Sequence, residues 1–126
     1  MSVRLVPGGK AAEREALAAG LARTLAQRHR GESQAVLTAL AAAALNAQRS
    51  GRNLPEPAAA PSADDPVHAL CRRIVARLQA NAIADPTGGA TRWHRRWNYP
   101  RWARGRAPVF EAGDFLFYPQ REEQKP

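Results

Sequence analysis

The sequence predicts an α+β fold, three helices followed by a short antiparallel β element. Two observations predict it. In three segments before about residue 84, apolar residues recur every three or four positions, the spacing of amphipathic helices. After Asp85 that period gives way to short aromatic runs separated by turn residues, which read as strands. The length of 126 residues suits one domain spanning 1–126.

The first helix is expected over about 10–30. Leu17, Leu21 and Leu25 fall on one stripe, with Ala18 and Ala22 beside them. Arg28, His29 and Arg30 occupy its last turn, where cations oppose the helix dipole, and Gly31 follows as a left-handed cap. The second helix, about 33–49, repeats Val36, Leu37, Leu40, Ala41, Ala44 and Leu45, with small residues among them that allow close helix approach. Residues 51–64 hold three prolines and no period, which reads as an exposed linker. The third helix, 66–84, starts at Asp65 as N-cap with Pro66 in the first helical position. Its stripe is Val67, Leu70, Cys71, Ile74, Val75, Leu78 and Ala82, with Arg72, Arg73 and Arg77 facing away. Asp85-Pro86-Thr87-Gly88-Gly89 is a turn cluster, and strands are expected at 90–94 and 114–118, with an irregular loop between. The tail 119–126 is polar.

Composition excludes several classes. No run approaches the ~18 apolar residues of a membrane span. The lone Cys71 excludes an intramolecular disulfide framework, and with His29, His68 and His94 it shows no zinc-ligand spacing, so neither metal nor cofactor is expected. The first nine residues contain no apolar core of a secretory signal, which predicts synthesis in the cytoplasm. The balance of 19 Lys+Arg against 11 Asp+Glu gives a net charge of +8. Nearly all the basic residues are arginine, and alanine is abundant, a bias that a GC-rich genome also produces.

One segment concentrates the charge. Arg92 to Arg106 holds six arginines, all three tryptophans (Trp93, Trp97, Trp102) and no acid. Three readings fit: tryptophans in the core with arginines on a solvated face, rings stacking on sugars, or cations and rings together holding a nucleic acid.

The order of several motifs resembles the SleB-type cell wall hydrolases, the family of the spore cortex-lytic enzymes. Asp85-Pro86-Thr87-Gly88-Gly89-Ala90-Thr91-Arg92-Trp93-His94 resembles the family's D-P-T-G-G-A-x-x-[YF]-H. Pro100-Arg101-Trp102-Ala103-Arg104-Gly105-Arg106-Ala107-Pro108 resembles P-x-W-A-x-G-x-x-P, and Gly113-Asp114-Phe115-Leu116-Phe117-Tyr118 resembles a closing G-x-H-x-F-Y, with Asp114-Phe115 replacing the usual residues. Upstream, Cys71-Arg72-Arg73-Ile74-Val75 resembles C-x-x-I-A, the helix ending Ala44-Leu45-Asn46 resembles A-V-x-x-V-x-x-N-R, and Leu21 to Leu25 with Arg30-Gly31-Glu32 resembles L-A-R-x-[IL]-x-x-E-A-R-G-E. The likeness covers about residues 17–118 and is most specific in the C-terminal half.

The resemblance implies a lysozyme-related fold acting on peptidoglycan glycan strands, generally as a lytic transglycosylase. That chemistry needs a Glu in a partly desolvated cleft to protonate the glycosidic oxygen. The family's first E of E-A-R-G-E falls on Arg28, which cannot donate a proton at useful pH. Glu32 is the remaining candidate acid, and His29 a second titrating group nearby. The stretch between Asn46 and Cys71 is shorter than the family's, which removes one wall of the groove. The expectation is a catalytically impaired homologue that binds glycan strands or serves in a protein assembly, such as a phage-like particle that would carry it to the wall. An active lytic transglycosylase using Glu32, and a basic nucleic-acid-binding protein, are the alternatives. Glu32, Thr87, Gly88, Gly89 and His94 are expected to converge on one shallow groove, with Trp93 and Trp102 as further substrate contacts.

Overall fold

A computed structural model describes residues 5–29, 31–50 and 65–119, with side chains from Leu17 onward. The expected linker at 51–64 and almost all of the polar tail lie outside the described residues. Three helices, α1 (Leu5–Arg28), α2 (Gln34–Arg49) and α3 (Pro66–Gln79), precede strands β1 (Arg92–Arg95), β2 (Phe110–Ala112) and β3 (Phe115–Tyr118), with a 3-10 turn at Arg101–Ala103. The fold is α+β, as expected from the change of period.

Helix α2 is the centre of the molecule. Its alanines and leucines are buried nearly all round, because α1, α3 and the sheet pack on different sides of it. Ser33 caps its N-terminus by accepting from the Val36 amide at 3.3 Å. Helix α3 starts as the sequence predicts, with Asp65 accepting from the Val67 amide at 2.9 Å and Pro66 at the first position.

Two helix boundaries and the sheet differ from expectation, the first strand lying at Arg92–Arg95 rather than 90–94. Helix α1 begins at Leu5, five residues early, because Pro7 lies in its first turn, where a missing N–H breaks no helical bond. Helix α3 stops at Gln79 rather than 84. Asn81 turns left-handed (φ 59°), its amide donates to the Leu78 carbonyl, and the Ala82 amide donates to the Arg77 carbonyl. That pair of bonds is a Schellman cap with asparagine in the usual glycine place, and it leaves Ala82 exposed. The sheet has a third strand, β2, and its order is β1-β3-β2, all antiparallel.

Strand β3 is central and buried on both faces. Phe115 and Phe117 join Trp93, Phe110 and the helices in the main core. Leu116 and Tyr118 point the other way, under Trp102 and Ala103 of the 3-10 turn, in a second small cluster. Gly113 lies in the two-residue connection from β2 to β3 at φ 55°, the left-handed start that short hairpins favour. A Cβ there would meet Val36 Cγ2 at 2.9 Å, so the hairpin is seated directly on α2.

Candidate functional site

The Asp85–Gly89 turn is built around one carboxylate. Asp85 Oδ1 accepts from the Thr87 amide at 2.7 Å and the Thr87 hydroxyl at 2.6 Å. Its Oδ2 accepts from the Gly89 amide at 3.0 Å and from Asn46 Nδ2 at 2.8 Å. Asn46 also donates to the Ala90 carbonyl at 3.0 Å, so α2 clamps the turn from behind. Burial acts to raise the Asp85 pKa, but the bonds from Thr87, Asn46 and Gly89 outweigh it and hold the carboxyl below its ordinary value.

Thr87 is fully buried, and its hydroxyl donates to Asp85 while accepting from the Ala90 amide at 3.2 Å. Its hydrogen-bonding groups serve the turn rather than a ligand. Gly88 and Gly89, at φ 66° and 95°, are exposed and leave an open stretch of backbone at the surface.

The expected single groove is not formed, because the sheet divides its residues. Successive side chains of a strand point to opposite faces. Trp93 and Arg95 face the helices, while Arg92 and His94 face the 3-10 turn. On the helix face Glu32 is ion-paired with Arg95 at 3.0 Å, and Arg95 lies 4.4 Å over the Phe115 ring. On the other face His94 Nδ1 meets the Arg95 carbonyl at 2.7 Å, so that nitrogen donates. Its Nε2 then accepts from the Tyr118 hydroxyl at 2.9 Å. His94 stacks on Tyr118 and meets Tyr99 and Trp102, a closed aromatic cluster. Burial first, then the neighbouring Tyr99, pushes the Tyr118 phenol up to about 12. Trp93 and Trp102 are therefore packing residues on opposite faces of the sheet.

His29 feels the charges of Arg95, Glu32 and Arg28, lies edge-on to Phe115 at 5.4 Å, and its Nδ1 is buried without a hydrogen-bond partner among the described residues. Burial first, then Arg95 and Arg28, lowers its pKa to about 4, against the opposing pull of Glu32. It is neutral near pH 7 and gives no acid there. The sign for stability follows. The unfolded chain binds a proton here below about pH 6.5 while the folded one stays neutral to about 4, so stability is full above 6.5 and falls as the pH drops through that window. Melting temperatures of wild type between pH 7 and 4.5 should decline, and His29→Gln should flatten the decline. An unchanged slope in the variant would place the titration elsewhere.

An open groove of about 480 Å³ runs between the start of α2, Pro86 and strand β2, lined by Ser33, Ala35, Val36, Thr38, Pro86, Phe110, Glu111, Ala112 and Gly113. Glu32, Thr87, Gly88 and Gly89 do not line it, although their chain neighbours Ser33 and Pro86 do. Glu111 on its rim is half exposed and paired with Arg96 at 3.2 Å. Sequence reasoning missed Asp85 as the organiser of the turn, and also Asn46, Arg95 and Phe110. Only Asp85-x-Thr87 carried a local signal, the short acceptor two residues before a hydroxyl.

Among the described residues no cluster of three metal-ligating side chains forms, and no helix is long and apolar enough to cross a membrane. Burial raises the Cys71 thiol to about 11, with Asp65 adding to it, so it is a packing group. Compared with protein-family models, curated proteins and solved structures, the chain matches none.

Proposed function

We propose that this protein binds peptidoglycan glycan strands without cleaving them, as a catalytically silent, lysozyme-related relative of the SleB-type cell wall hydrolases. The observation that carries the reading is the state of the carboxylates. Acid catalysis needs a carboxyl that donates a proton in a cleft shielded from water. Glu32 is used as an acceptor by Arg95, Glu111 is solvated, and Arg28 stands where the resemblance places the acid. Among the described residues, neither carboxyl beside the groove is a free, shielded proton donor: Glu32 is held in an ion pair and Glu111 is open to solvent.

The groove itself supports binding. Its floor is apolar, with Phe110 offering a ring for a sugar face and Ser33 and Thr38 offering hydroxyls at its edge. Two of its lining residues, Ser33 and Pro86, are the chain neighbours of Glu32 and Thr87, which the resemblance assigns to the glycan cleft.

Co-sedimentation with purified sacculi tests this. Wild type is expected in the pellet, released by soluble glycan fragments. Phe110→Ala should weaken retention about three- to tenfold, the worth of one aromatic contact, with near-UV circular dichroism showing a folded protein. Equal retention of the variant, or no retention of wild type, would remove the groove from the reading and favour a role in a protein assembly.

A further inference from the structure

We infer that the loop between β1 and β2 is a binding surface for single-stranded nucleic acid. Among the described residues, the three large apolar side chains that are most exposed, Trp97 (68%), Val109 (50%) and Tyr99 (48%), all lie in this one loop. The two rings, Trp97 and Tyr99, sit two residues apart; Arg95 touches Trp97 at 5.7 Å and Tyr99 rests on His94 at 4.6 Å, yet each leaves about half or more of its surface open. The same loop carries Arg101 and Arg104, both exposed, on a 3-10 turn fixed by packing of Ala103 and Trp102 against Leu116 and Tyr118. Among the described residues neither has an ion-pair partner, whereas Arg95 and Arg96 are paired with Glu32 and Glu111.

The pairing of unneutralised arginines with open rings selects the partner. Cations alone fit any polyanion, but planar rings add contact only where the polyanion presents planar groups, and unpaired bases do so. A duplex hides those faces in its stack. The surface is also rigid beneath: His94, Tyr118 and Trp102 form a closed ring cluster under Tyr99, so the loop is held without a ligand. It is separate from the groove beside Phe110, and the inference does not depend on glycan binding.

The test is fluorescence anisotropy of a labelled 20-nucleotide oligo-dT with the full chain, titrated with salt. Binding is expected to weaken linearly in log salt, with a slope of about −0.7 per phosphate contact. Trp97→Ala should weaken binding about tenfold, as loss of one stacked base does, with the slope unchanged. Arg101→Gln with Arg104→Gln should shrink the slope by about 1.4, two contacts' worth. All these side chains are exposed, so melting should hold. Equal affinity for inorganic polyphosphate, tighter binding to a duplex of the same sequence, an unaffected Trp97→Ala variant, or no binding at low salt would each overturn the inference. The first would reduce the loop to a charge patch.

Discussion

Asp85→Ala is expected to destabilise the domain by about 3 kcal/mol, since hydrogen bonds to a charged group contribute roughly 1.5–3 kcal/mol each and share one site here. Four donors lose their acceptor: the Thr87 amide and hydroxyl, the Gly89 amide and Asn46 Nδ2. Gly89 recovers water, but Thr87 is buried and cannot. Asp85→Asn should cost about 2 kcal/mol, because one oxygen survives for Thr87 while the new amide faces the donors Asn46 and Gly89. Urea denaturation measures both. Because the Asp85 pKa is lowered in the folded state, its contribution is present above the ordinary carboxylate pKa and is lost as the pH falls through the folded value. An Asp85→Ala midpoint equal to wild type would mean the turn is held by its glycines and not by the carboxylate.

Phe117→Ala is expected to cost about 3–5 kcal/mol, the range for emptying a fully buried aromatic site. Phe117 has no exposed surface, pairs with Trp93 in β1 and with Phe110 in β2, and packs toward the helices. Its loss leaves a void where all three strands meet the helical layer. A small domain with about 5–15 kcal/mol in total comes close to unfolding at that cost. Val109→Ala, at a half-exposed position in the neighbouring loop, should change stability by less than about 0.5 kcal/mol. Similar midpoints for the two variants would contradict the placement of the sheet on the helices.

The helices were legible because their signals are local. Asp65-Pro66 marks a start by side-chain capping and a missing amide, and the Leu21/Leu25 and Ile74/Leu78 spacings mark buried faces. The end of α3 was misread because Ala82 continues the apolar period, while the Asn81 that ends the helix looks polar and ordinary. Strand β2 was missed because three residues give no measurable alternation, although Gly113-Asp114 offered a hairpin turn. The site was less legible than the fold. Which face of the sheet His94 and Trp93 occupy depends on the register of β1 against β3, and that register is set by packing on α2. The ion pair between Glu32 and Arg95, 63 positions apart, has no local sequence signature at all.

Product analysis of sacculi incubated with the purified protein tests the central claim most directly. The protein should be recovered with the sacculi, and the supernatant should contain neither anhydromuropeptides nor muropeptides with new reducing ends. Arg28→Glu, which places a carboxylate at a helix C-terminus at a cost of about 1 kcal/mol, should fold and, on the proposed reading, stay inactive. Release of either product by wild type, abolished in Glu32→Gln with melting unchanged, would contradict binding without cleavage and make Glu32 the acid.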